Sequence, residues 1–143
     1  MRTTVGRDFT SDAMFKDTAR PLPANIIALT ESATAPAVGH TVLAGAAGNE
    51  MTADGFARAV ATYAHTTGAQ TSTLQKTFTH TGAAGAGTAR VVRGVGVFAQ
   101  ANGGAVPGAA DSGILVFTMA QPSPPTLTGT DSLNQTVSVD FGS

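Results

Sequence analysis

The sequence predicts a mainly β fold, an antiparallel β-sandwich or barrel of jelly-roll-like form with a short N-terminal helix or arm. Three observations carry that expectation. Apolar and polar residues alternate with period two in "TSTLQKTFT" (71–79) and "SLNQTVSVD" (132–140), the spacing that sends successive side chains to opposite faces of a sheet. Threonine and valine crowd these stretches, and their branched Cβ atoms suit a pleated surface. Glycine and proline, 17 and 7 of 143 residues, fall largely between the alternating stretches, where turns belong.

Residues 1–24 read as an arm and residues 25–143 as the β domain. Within the arm, Asp8 to Ala19 is expected to contain a short helix, capped by Thr10 or Ser11, with Asp12 in its first turn and Met14 and Phe15 on an apolar side. Pro21 and Pro23 then hold the chain extended. "IIALT" (26–30) has the composition of a buried strand. A long small-residue connection follows, punctuated by Pro36, Gly39, Gly45, Gly48 and Gly55, with "HTVLAG" (40–45) as a short extended piece. Connections of that length in a compact domain usually serve a contact.

Phe56–His65 and Thr71–His80 are expected to pair as antiparallel strands around "TTGA". In the second of them Leu74, Lys76 and Phe78 share one face, and Thr73, Gln75, Thr77 and Thr79 share the other. Ala89–Ala99 is a strand whose Gly94 and Gly96 mark a bulge or a close approach of another backbone. Gly113–Ala120 is apolar throughout, so both of its faces should be covered. Ser132–Phe141 closes the series, alternating Leu133, Gln135, Val137, Val139 and Phe141 with polar neighbours.

Composition narrows function by exclusion. Net charge is −1 and only 12% of residues are charged, so no basic run exists to neutralise phosphates and no nucleic-acid partner is expected. Without cysteine there is neither a disulfide framework nor a thiolate metal site. The polar N-terminus lacks the apolar core of a signal peptide, and no stretch approaches a membrane span, so no membrane partner is expected. Sparse charge also gives a surface little protection against association, which fits a surface covered by a partner.

The residues offer no reaction. His40, His65 and His80 lack the spacing of a metal site, although His65 and His80, each at a strand end, are candidates for cross-strand neighbours. The acids, among them Glu31, Glu50, Asp54 and Asp111, are scattered rather than paired. "HTGAAGAGTAR" lacks the Gly-Lys-Ser/Thr ending of a phosphate loop, "GVGVFAQ" lacks the full dinucleotide fingerprint, and no G-x-S-x-G elbow occurs. Asn134-Gln135-Thr136 matches a glycosylation sequon but lies in an expected strand. The expectation is a non-enzyme without cofactor or metal.

The order of pieces is more informative than any one of them. "ALTESATAPAVGHTVLAG", "GFARAVATYAHTTGAQTSTLQKTFTHTG", "RVVRGVGVFA" and "GILVFTMAQPSPPTLTGTDSLNQTVSVDF" together resemble a family of small virion proteins of tailed bacteriophages, over most of the chain after Asn25. The resemblance implies a structural protein on the outer surface of the capsid, decorating and cementing the shell. Its implied partners are the major capsid protein and copies of itself, with a homotrimer as the analogous assembly. The alternative it implies is a tail or fibre component that binds the host surface. Candidate contacts on this reading are Arg2, Arg7, Phe9, Met14, Phe15 and Arg20 in the arm, and Val42, Leu43 and Met51 in the long connection.

Overall fold

The computed structural model describes residues 1–15, 23–82, 89–99 and 108–140. Nine strands are described: β1 (Ile26–Thr30), β2 (Ala59–Val60), β3 (Thr62–His65), β4 (Thr71–Thr79), β5 (Arg90–Val91), β6 (Gly94–Ala99), β7 (Ile114–Ala120), β8 (Thr126–Leu127) and β9 (Ser132–Asp140). All pairings are antiparallel. The first sheet has the order β2-β1-β6-β7, the second β3-β4-β9, and β5 pairs with β8 in a short ribbon.

The two larger sheets face each other over one core. Ile27, Leu29, Val95 and Val97 of the first meet Leu74, Phe78 and Val137 of the second, with Phe56 and Met51 filling between them. A separate apolar layer, Ile26, Ala28, Leu43, Phe98 and Leu115, covers the opposite side of the first sheet. Thus β1 and β6 are buried along their whole length. The fold is therefore an open antiparallel sandwich with its first sheet covered on both sides.

Two expected strands are split because the chain changes sheet. Phe56–His65 becomes β2 and β3: Ala59 and Val60 pair with β1, whereas Thr62 to His65 pair with β4. The corner is Ala61, buried, whose amide donates to the Asn25 carbonyl at 2.8 Å. Ala89–Ala99 divides likewise into β5 and β6 at Val92–Arg93, where Arg93 N donates to the Thr30 carbonyl at 2.8 Å. Alternation continues across such corners, which hides them from a periodicity argument.

Gly94 and Gly96 lie in β6, but the bulge sits in its neighbour. Pairing steps from Val97–Phe117 to Phe98–Leu115, leaving Val116 as the extra residue on β7. At Gly96 the close approach is made by side chains, since an added Cβ would lie 2.8 Å from Leu43 Cδ1. "HTVLAG" does not extend as expected. It contains a 3₁₀ turn at Leu43–Gly45, because Ala44 (φ 55°) and Gly45 (φ 75°) take left-handed conformations that send the chain back and press Leu43 onto the first sheet.

The helix α1 spans Thr4–Phe15, so it begins earlier than expected and contains both Thr10 and Ser11. The cap is Thr3, whose buried Oγ1 accepts from Gly6 N at 3.0 Å and donates to the Leu115 carbonyl. Thr10 instead turns its hydroxyl back to the Gly6 carbonyl at 2.8 Å. The expected continuation over Lys16–Ala19 lies outside the described residues. Ahead of the helix, Met1–Thr3 line the free edge of β7: Thr118 N donates to the Met1 carbonyl at 2.9 Å and Thr3 N to the Val116 carbonyl at 3.1 Å. The described part of the arm is therefore docked on its own β domain.

Gly6 permits that docking. A Cβ there would strike the Val116 carbonyl, and backbone cannot swing aside as a side-chain tip can. Alanine is the better helix former by about 1 kcal/mol, yet Gly6→Ala is expected to destabilise the domain by about 1–3 kcal/mol through overpacking. Thermal unfolding gives the magnitude, and faster amide exchange at Thr3 and Thr118 locates it. A gain in stability would show that α1 rides loosely over the bulge.

Candidate interaction surface

The register of the second sheet sorts its residues. On the side away from the core stand Thr62 and Ala64 of β3, Thr71, Thr73, Gln75, Thr77 and Thr79 of β4, and Ser132, Asn134, Thr136, Ser138 and Asp140 of β9. Nearly all are exposed, and Asp140 at one end is the only charged member. Hydroxyls and amides thus form a polar face that carries almost no charge. Neighbours on it bond to one another, as Thr79 Oγ1 and Ser132 Oγ do at 2.9 Å. The opposite side supplies Leu74, Phe78 and Val137 to the core. At its outer end Tyr63 remains 61% exposed, lying beside Ser72, whose hydroxyl is 3.1 Å from His65 Nδ1.

Two ionic networks brace the connection beside this sandwich. Arg58 and Glu50 form a buried pair: Nε donates to Oε1 at 2.6 Å and Nη2 to Oε2. Arg58 Nη1 also donates to the Ser112 carbonyl at 2.8 Å, and its guanidinium lies 4.3 Å from the centroid of Phe98. Glu50 Oε2 accepts from Asp111 N at 3.1 Å, while Asp111 Oδ2 accepts from Gly48 N at 2.7 Å. The second network is nearer the surface. Arg90 donates to Asp54 Oδ2 at 2.6 and 2.8 Å and to Glu31 Oε2 at 2.9 Å.

Hydrogen bonds first to Asp54 and then to Glu31 hold the Arg90 guanidinium above the usual arginine range. A folded-state value raised above the unfolded one stabilises at every pH below that range and is lost only as pH rises through it, so this network should not respond to mild acid through Arg90. Between the networks lies a cleft of about 260 Å³ lined by Glu31, Ser32, Asn49, Glu50, Thr52 and Arg90 among others. Its ionic groups are already engaged, Arg90 with Glu31 and Glu50 with Arg58, which gives it the character of a braced seam more than of a receptive pocket.

The residues singled out from sequence scatter. Arg2 and Arg7 are exposed, Arg2 forming an isolated bridge with Phe117 and Arg7 reaching Thr4 Oγ1 at 3.5 Å. Phe15, at the end of α1, is 78% exposed. Phe9 and Met14 lie within α1, and Arg20 lies outside the described residues. Val42 is half-buried. Leu43 and Met51 depart from the expectation of exposed contacts: both are buried in the domain's own core layers, which leaves them little surface for a partner. Their backbone turns inward with the 3₁₀ turn and with the bond from Met51 N to the Leu29 carbonyl at 2.8 Å.

The histidines do not meet. His65 pairs opposite Ser72 at the start of β4, whereas His80 follows the other end of that strand. His80 is buried edge-on to Phe56, and His40 is half-buried beside Gly45. Among the described residues no group of three or more His, Cys, Asp or Glu is placed to hold a metal ion. Sequence reasoning missed the Arg58–Glu50–Asp111 cluster. Its only linear signal is that each charge stands alone among small residues in a chain where charge is scarce.

No protein-family model matches this sequence, and no curated protein matches it significantly.

Proposed function

We propose that this chain is a non-enzymatic structural protein of a tailed-phage virion, decorating and reinforcing the capsid shell by binding the major capsid protein and neighbouring copies of itself. The observation that carries the reading is the outer face of the second sheet, exposed and almost free of charge. Such a face makes short-range hydrogen bonds with little desolvation of ions, and it repels neither a shell nor a second copy. Repetition over a symmetric shell supplies avidity, so each contact need not be tight. The motif order that resembles small virion proteins points the same way. Of the candidate arm contacts whose side chains are described, Arg2, Arg7 and Phe15 are all exposed.

The test is the copy number of the chain in purified virions relative to the major shell protein, by quantitative mass spectrometry. A ratio near that of the shell protein is expected. A trace ratio would move the chain to a tail or fibre, and absence from particles would overturn a virion role. Thr73→Lys/Thr77→Lys, which charges the face without touching the core, is expected to leave folding intact and weaken attachment to stripped shells at least tenfold. Undiminished attachment would remove this face from the contact.

A further inference from the structure

We propose that β9 pairs with β9 of a second copy, antiparallel and about a twofold axis at Thr136, joining the two second sheets into one. The inference names the strand through which copies meet; it rests on the copy–copy contact of the reading above, and it is tested without any shell.

β9 ends its sheet, and among the described residues no strand pairs with its outer edge. Edge strands expose a row of unpaired backbone groups, and proteins usually protect them with lysine, proline, a bulge or brevity. β9 is nine residues long, pairs with β4 without a bulge, and carries neither proline nor charge before Asp140. It is built as an edge that accepts pairing.

The occupant is argued from what faces what. Pairing about Thr136 sets Leu133 opposite Val139 of the other copy on the core side. Both are half-buried hydrophobics at the margin of the single domain's core, and each would extend the other's cover. On the outer side Thr136 meets Thr136 and Asn134 meets Ser138, continuing the hydroxyl face across the junction. Asp140, the one ionic residue, falls opposite Ser132. The two Asp140 carboxylates then stand at opposite ends of the junction, about 27 Å apart at a rise of ~3.4 Å per residue, well beyond the screening length in physiological salt. A parallel pairing in register would set them side by side. The other edge of this sheet among the described residues, β3, has only four residues and would leave most of β9 unpaired.

Because the chain has no cysteine, Thr136→Cys places a single thiol at the proposed axis. Directly opposed antiparallel residues have Cα atoms about 4.5–5.5 Å apart, within the span a disulfide bridges. Thr77→Cys, on the same face of interior strand β4, is the control. Thr136→Cys is expected to form disulfide-linked dimers at least tenfold faster than Thr77→Cys under mild oxidation. Thr136→Lys, which sets like charges together at the axis, should weaken dimerisation at least tenfold by sedimentation equilibrium. Both positions are exposed, and circular dichroism verifies folding. Equal cross-linking rates, or an oligomer that Thr136→Lys leaves intact, would overturn the proposal. A trimer would overturn it too, in favour of β9 pairing head-to-tail with β3. Failure here leaves shell attachment standing, because attachment is read from particles and this pairing from the purified chain.

Discussion

Arg58→Met is expected to destabilise the domain by about 3–5 kcal/mol, the range measured when one partner of a buried ion pair is removed. Arg58 and Glu50 have side chains 4% and 0% exposed, so the carboxylate left behind has no route to water. Methionine keeps the volume over Phe98 and isolates the charge from the packing. The same change frees the Ser112 carbonyl, which accepts from Arg58 Nη1. Denaturant unfolding reads the loss. The double variant Arg58→Met/Glu50→Leu should recover part of the loss, since a desolvated pair replaced by apolar groups can be nearly neutral. A loss below about 1 kcal/mol, within the range of an exposed pair, would mean that water reaches Glu50.

The network matters because of what it joins. Glu50 bridges Thr30 at the end of β1, Asp111 and Ser112 lead into β7, and Arg58 leads into β2. Three connections are thereby fixed against the first sheet at one point.

What was legible in the sequence follows from how local each determinant is. β1 and β7 were recognisable because an apolar run bounded by polar or turn residues needs cover wherever it lies, and β4 and β9 because alternation fixes both the strand and its faces. From those faces the hydroxyl surface could be read before any coordinates. The corners at Ala61 and Val92–Arg93 could not, since which sheet receives a strand is decided by distant partners such as Asn25 and Thr30. The helix start was missed for a related reason. Thr10–Ser11–Asp12 has the composition of a cap, but Thr3 is buried against β7 and wins through a tertiary contact. Arg58 and Glu50 were invisible as a pair because eight residues of irregular chain carry no periodicity that would bring them together.

The second large effect is expected at Phe56. Phe56→Ala should cost about 3–5 kcal/mol, as large-to-small changes of a fully buried aromatic do, a substantial share of the ~5–15 kcal/mol by which domains of this kind are stable. The ring has no exposure, packs in the core shared by the two sheets and takes the edge of His80 at 5.5 Å. Its position is fixed from behind. Gly55, at φ +87°, lies so close to the Thr79 carbonyl that no Cβ fits, and Thr81 N donates to the Asp54 carbonyl at 3.0 Å. The segment carrying Phe56 is thus stapled to the end of β4, and the surroundings have little freedom to collapse into the space a smaller side chain would leave. Phe56→Leu should recover more than half of the loss. Hydrogen exchange distinguishes a local from a shared consequence: if the core holds the hydroxyl face rigid, amides of β4 and β9 should lose protection in the alanine variant along with those of β1 and β6. Protection retained in β4 and β9 would mean that the second sheet is held by its own ladder, and its outer face would then be mechanically independent of the core beneath it.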